Sequence, residues 1–272
     1  MNGPIGFIGA GNMAEAMIRG LRGAGVDGGQ ILVTNRSRRD RLEQLRTAWG
    51  IVVTPSKADL CASASILILA MKPADLDQAM GELRFYITER HLLISVLAGV
   101  RCAAVERYLT RTPVVRAMPN LSAAILASAT ALAYGRHATA ERRAVAQSLF
   151  ASLGHTVDVA EDAMDAVTAL AGSGPAYVYL FMEALIEAGT EAGLTPQVAR
   201  DLAMHTVLGA TRLVIETNSD PAELRRRVTS PGGTTMAALQ ALEERGFKAA
   251  VWEAVQRATR RARELSVILP PP

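Results

Sequence analysis

A chain of 272 residues, half of them apolar and one-fifth charged, is long enough for two modest domains and has the composition of a soluble protein. Its formal net charge is only +3 and no basic stripe is interleaved with aromatic residues, so a nucleic-acid partner is not expected. Cys61 and Cys102 lie far apart with no second ligand at metal-binding spacing, which points to free thiols in a reducing compartment and away from a disulfide or a metal site.

The opening MNGPIGFIGAG has no basic stretch and no small-residue cleavage site. It reads as a strand, residues 4–8, and a cytoplasmic protein is expected. Directly after that strand, Gly9-Ala10-Gly11-Asn12-Met13-Ala14 is a GxGxxA match that opens a helix over 12–24. Gly9 suits the tight turn, Gly11 lets the backbone approach a pyrophosphate, and Ala14 lets helix and strand pack closely. Gly9, Gly11, Asn12 and Met13 are therefore candidate dinucleotide-binding residues.

The second strand, 31–34, runs into Asn35-Arg36-Ser37. A fold specific for NAD places an acid here for the ribose 2′-hydroxyl. None is present, and these donors suit a 2′-phosphate, so NADPH is favoured and NADH is the alternative. Arg38, Arg39 and Arg41 read as the solvated start of a helix over 39–49. A third strand covers 51–53 and a fourth 66–70. The apolar run 66–71, taken as the longest, is too short for a bilayer, so no membrane partner is expected. Ala70, Met71, Lys72 and Pro73 follow at the carboxyl end of the fourth strand, where ligands of open parallel sheets bind. Lys72 is one of only three lysines, with Lys57 and Lys248.

A helix over 76–83 and a strand over 92–96 follow. The residues after this strand end would line the nicotinamide side; Ala98 is a candidate there, while Val96 and Leu97 read as core. A helix over 103–109, strands over 114–117 and 130–133, a helix over 140–153 and a strand over 156–159 complete the alternation. Strand and helix in turn, with unalternating apolar strands, predict an α/β, doubly wound, Rossmann-type sheet domain over residues 1–160.

After Glu161 the strands stop and an all-helical domain, 161–272, is expected. A helix over 164–170 is interrupted at Gly172-Ser173-Gly174-Pro175 and resumes over 176–192. Thr195-Pro196 and Asp220-Pro221 start the next two, the second with Glu223 placed for a capping box. In the turn Thr229-Ser230-Pro231-Gly232-Gly233-Thr234-Thr235, Thr234 is placed to cap a helix over 235–244, and a last helix covers 248–265. Free N–H groups at such a helix start suit a small anion. The tail 270–272 is all proline and can only be extended. Val178, Leu180, Phe181 and Leu185, like Leu202, Val207, Leu208 and Leu213, make two helices apolar nearly all round. Burial against a second subunit is expected.

The GAGNMA turn, AMKP, Met118-Pro119-Asn120, the run EDAMDAVTALAGSGPAY from Glu161 to Tyr177 and SPGGTT followed by LEERGF, in this order, resemble the Δ1-pyrroline-5-carboxylate reductase family over essentially the whole chain. Its members are NAD(P)H-dependent enzymes of the last step of proline synthesis. The resemblance implies a small cyclic imine carboxylate as substrate, bound by Ser230, Gly233, Thr234 and Thr235, with the Thr235 hydroxyl near the imine nitrogen as the catalytic group and Glu161 as an acid at the substrate site. It also implies a helical dimerisation domain and a homo-oligomer, a dimer or a multiple of dimers. The chain departs from the family pattern MPNTPA at Leu121 and Ser122, which bears on local pocket shape. Lys57 and His205 stand where relatives often carry amides, and His205 reads as a packed histidine.

Two rival readings meet obstacles in particular residues. A β-hydroxyacid dehydrogenase of the same architecture needs a base in the first helix of the second domain, and no Lys, Arg or His occurs from Glu161 to Ala192. An NADP-binding sensor without turnover has no need of an intact SPGGTT turn. A reductase of a related cyclic imine carboxylate is the alternative closest in chemistry.

Overall fold

The described residues, 3–267 of a computed structural model, build one eight-stranded sheet and the helices around and after it. In chain order come β1 (Ile5–Ile8), α1 (Asn12–Gly23), β2 (Ile31–Thr34), α2 (Arg39–Trp49), β3 (Val52–Val53), α3 (Lys57–Ser63), β4 (Ile66–Leu69), α4 (Leu76–Leu83), β5 (Leu92–Ser95), α5 (Cys102–Glu106), β6 (Val114–Met118), β7 (Ser128–Tyr134), α6 (Ala140–Ala151) and β8 (Gly154–Asp158). The spatial order is β3-β2-β1-β4-β5-β6-β7-β8. Pairing is parallel throughout except between β6 and β7.

Why the strands do not alternate in polarity is plain from what covers them. Successive residues point to opposite faces, and both faces are dry. Ile5 and Phe7 of β1 pack with Met17, Ile18 and Leu21 of α1 and Leu45 of α2, on the face that also holds Phe150 of α6. Ile8 points the other way, to Leu60 of α3 and Leu76, Met80 and Leu83 of α4. Each such side chain, fully buried, contributes about 1.5–3 kcal/mol. Val96 and Leu97 join these cores as the sequence indicates.

The chain divides into two compact units, the first running to Ser173 and including the stretch from Arg257, the second Gly174–Gln256. The end of the first unit contains α7 (Met164–Val167), which passes into a π-helical turn, Thr168–Gly172. The helix expected over 164–170 is thus α-helical only to Val167. The second unit begins with α8 (Gly174–Glu191), α9 (Pro196–Thr217), α10 (Pro221–Arg227) and α11 (Thr234–Glu244), and α12 (Phe247–Val267) starts in it. Its fully buried side chains are only Ala199 and Ala203. Leu180, Leu202 and Leu208 are 67%, 55% and 51% exposed. His205 is exposed too, so it is not packed within the single chain.

Local starts differ from expectation in three places. Thr195 and Asp220 cap α9 and α10 through their side-chain oxygens, but Glu223 does not close a capping box; it pairs with Arg227 one turn on, at 2.5 Å. Thr234 does not cap α11 either: it is the first helical residue, and Gly233 holds the cap position with no side chain to offer. Helix α3 lies where no element was expected, started by Ser56 accepting from the Asp59 N–H at 3.2 Å. The proline tail lies outside the described residues. The apolar run 66–71 is also not the one that bears on a membrane: Glu161–Glu191 is long and apolar enough to cross one by length and composition, with mean hydropathy 1.3 in its most apolar window.

Candidate active site

Beyond the carboxyl ends of β1, β2 and β4 opens a cavity of about 540 Å³. That is a usual size for a small-molecule site. The sequence candidates Gly9, Gly11, Asn12, Met13, Asn35, Arg36, Ser37, Ala70, Met71 and Lys72 all line it. Pro73 and Ala98 do not; Pro73 opens the short 3-10 turn before α4, and Ala98 sits in the loop after β5.

The glycines explain the cavity's floor. Gly9 has φ +117, and a Cβ there would lie 2.5 Å from the Ala70 carbonyl, so β1 and β4 end in a turn no side chain can enter. Gly11 has nothing closer than the Ala70 oxygen at 3.9 Å, leaving its outer side open to a ligand. It is also the N-cap of α1, with no side chain closing the helix start. First-turn amides therefore face the cavity, the arrangement that receives a phosphate. Arg36, Arg38, Lys57 and Lys72 supply cations around the rim against one carboxylate, Asp75. An empty glycine floor, an uncapped helix start and a cationic rim fit a dinucleotide pyrophosphate and an extra phosphate.

Two of these residues were not among the cofactor candidates. Lys57 stands out in the sequence only as a lysine where relatives often carry amides, because α3 is not expected there, and Arg38 reads with Arg39 and Arg41 as solvated. Arg38 and Arg39 are both exposed, in keeping with that reading, and Arg41 is half-buried. Arg38 lines the cleft, while Arg41 reaches back from α2 to pair with Glu15 of α1 and to donate to the Ala10 carbonyl at 3.3 Å.

A second cluster lies at the end of the first unit. Arg116, in the middle of β6, is a nearly fully buried guanidinium. Burial lowers its pKa, opposed by the carboxylates of Glu161 and Asp165, 3.7 and 3.8 Å away. Glu161 Oε1 also accepts the Cys102 N–H at 2.6 Å, at the start of α5, where Arg101 provides no side-chain cap. The Cys102 thiol hydrogen-bonds the same carboxylate. Burial, then the charge of Glu161 beside it, pushes the Cys102 thiol far above its ordinary value, and burial pushes that of Cys61 up to about 11. Both thiols are free and stay protonated at neutral pH, hence poor nucleophiles.

Asn120 ties the end of β6 to the π-helical turn. Its Nδ2 donates to the Ala171 carbonyl at 3.0 Å and its Oδ1 accepts from the Ser122 N–H at 3.1 Å. The Ala171 carbonyl would meet the amide four residues on in an α-helix, but that residue is Pro175, which has none. Leu121, next to Asn120, is 54% exposed.

In the second unit, the turn before α11 is held by Gly233 donating to the Ser230 carbonyl at 3.0 Å, with Gly232 at φ +71. The amides of Thr234, Thr235 and Met236 have no acceptor among the described residues, and no acid lies in the first turn of α11. Ser230 and Thr234 are exposed and Thr235 is half-buried. Ser230, Gly233, Thr234 and Thr235 thus gather at one open helix start; Glu161 belongs to the first unit.

Comparison with known proteins gives these features a family. Residues 161–265 match the model of the pyrroline-5-carboxylate reductase dimerisation domain, and residues 4–99 match that of coenzyme F420-dependent NADP oxidoreductases. A pyrroline-5-carboxylate reductase of Bacillus subtilis is 41% identical over 96% of this chain and 89% of its own length. The solved structure of a pyrroline-5-carboxylate reductase from Coxiella burnetii has a TM-score of 0.90 at 38% identity, covering 98% of this chain and 99% of that one. That of the Plasmodium falciparum enzyme, with NADP bound, has a TM-score of 0.88 at 26% identity over 97% and 98%. With its sheet, its glycine-floored cleft and its helical unit all falling within these matches, the chain belongs to the pyrroline-5-carboxylate reductase family.

Proposed function

We propose that the protein reduces Δ1-pyrroline-5-carboxylate to L-proline, the closing step of proline synthesis, with NADPH as the preferred donor. The likeness to reductases of that name along nearly the whole chain carries the reading. The cofactor supplies the hydride, and the protein's own residues do the rest. Gly9, Gly11, Asn12 and Met13 receive the pyrophosphate, while Asn35, Arg36 and Ser37 favour a 2′-phosphate; Ala70, Met71, Lys72 and Pro73 hold the ribose side and Ala98 borders the nicotinamide. The absence of an acid at the end of β2 supports NADPH over NADH.

The open amides at the start of α11, with Ser230, Gly233 and Thr234, take the substrate carboxylate. Thr235 orients the imine nitrogen or relays a proton to it, and Glu161 is the acid that the family resemblance places at the substrate site. Residues 161–272 act as the substrate-binding and dimerisation domain, following a dinucleotide-binding domain over 1–160. The apolar faces of α8 and α9 are covered by a second copy and not by lipid, which the dimerisation match over 161–265 supports. A cytoplasmic dimer or multiple of dimers, without nucleic acid or membrane, follows.

The test is NADPH consumption on adding pyrroline-5-carboxylate, with the six-membered imine homologue in parallel to fix ring-size preference. No consumption with either imine would leave a silent NADP sensor. Thr235→Val should lower kcat roughly tenfold to a hundredfold with NADPH affinity unchanged; unchanged turnover would remove Thr235 from the mechanism.

A further inference from the structure

Lys57 has no part in the glycine turn or in the end of β2, yet it lines the same cleft. It opens α3 just beyond β3, and β3 pairs with β2, whose end carries Arg36 and Ser37. The two segments therefore leave the carboxyl edges of neighbouring strands and meet one cavity. The Lys57 side chain is only 20% exposed, and its Nζ lies 2.6 Å from Glu82 of α4. Arg36 is engaged in a parallel way, with Gln78 of α4 and, at 3.8 Å, with Asp75 just before it.

Stability is a weak reason for this lysine. Glu82 is 55% exposed, and an ion pair with so wet a partner contributes little to the fold. A compact ammonium on a long stem beside an arginine fork is, by contrast, an effective pair for a phosphate dianion. Asp75, which lines the cleft, and Glu82, which does not, are the acids that a bound phosphate would have to displace from these cations.

We propose that Lys57 is a specificity-determining residue of the cleft: beside Arg36 it supplies a second cation to the 2′-phosphate that separates NADPH from NADH, and Glu82 competes with that phosphate for it. The proposal rests on the reading of the cleft as a dinucleotide site. It assigns Glu82, remote from the glycine turn, a direct influence on cofactor choice.

Titration of the full-length protein with NADPH and with NADH, followed by cofactor fluorescence without substrate, decides it. Lys57→Gln should weaken NADPH about tenfold and NADH less than about twofold, the scale of one charge-assisted hydrogen bond. Lys57→Arg should restore the preference to within about threefold of the parent, since charge and not shape is at issue. Glu82→Gln should tighten NADPH several-fold and leave NADH alone. Equal losses for both cofactors in Lys57→Gln, or unchanged NADPH affinity in both Lys57→Gln and Glu82→Gln, would overturn the assignment. Failure of the parent protein to bind either cofactor would instead sink the dinucleotide reading beneath it. Should Lys57→Gln unfold, the Lys57→Arg and Glu82→Gln titrations still decide.

Discussion

Gly9 and Arg116 show two kinds of residue that cannot be exchanged, one for lack of room and one for lack of water. At Gly9, φ is +117 and the Ala70 backbone sits where a Cβ would go. Gly9→Ala should cost about 1–3 kcal/mol in backbone strain alone and push β1 and β4 apart where the cofactor enters. A lower melting temperature with NADPH affinity reduced more than tenfold is the expected result; unchanged affinity would mean the turn does not shape the site. Arg116 was unremarked in the sequence because it sits in a strand that otherwise reads as apolar. Only the fold brings Glu161 and Asp165 to it. Arg116→Met should lower the unfolding free energy by about 3–5 kcal/mol, because two carboxylates lose a buried partner. Chemical denaturation measures this directly. A loss below about 1 kcal/mol would mean that water, and not Arg116, balances those charges.

Among elements, the π-helical turn at Thr168–Gly172 is the one the sequence announced without naming. Gly172-Ser173-Gly174-Pro175 marked a break there, for Pro175 removes an amide and the carbonyl of Ala171 needs another donor. What the sequence could not reveal is that Asn120, 51 residues upstream of Ala171, supplies it. Asn120→Leu should destabilise the protein by about 1–3 kcal/mol, leaving the Ala171 carbonyl and the Ser122 N–H without their partner. Hydrogen exchange would localise the damage, with faster exchange expected around residues 120–128 and 168–175. The strands and the long helices were legible because a buried parallel sheet demands short unbroken apolar runs and helices demand a 3.6-residue period. Helix α3 was not: with seven residues and two buried ones, Leu60 and Cys61, it is too short to display a period. The capping box of α10 and the Thr234 cap of α11 failed for a related reason. A capping motif states what a side chain can do, while a competing neighbour such as Arg227, or a register shift of one residue, decides what it does.

The whole molecule is governed by an imbalance between its two units. The first hides its apolar residues on both faces of a sheet; the second leaves Leu180, Leu202, Leu208 and Leu213 exposed in the single chain. An apolar surface of that extent is stable in water only when covered. The match to a dimerisation domain over the same residues supports an oligomer, and a second copy is the cover proposed above. Leu208→Glu should therefore shift the protein to a monomer in sedimentation and lower its stability in a concentration-independent way, whereas the parent should gain stability with concentration. An unchanged oligomer would place the interface elsewhere.

The sequence alone determined the strands and the longer helices in their order, the glycine turn, the missing acid after β2 and the glycine-rich turn before α11. Each of these is local, set by the shape, polarity or backbone freedom of residues close in the chain. Tertiary structure alone decided which charges meet: Arg116 with Glu161 and Asp165, Arg41 with Glu15, and Lys57 with Glu82 on the rim of the cleft. Coulomb energy depends on distance in space and on exclusion of water. Neither is written in the spacing of residues along a chain.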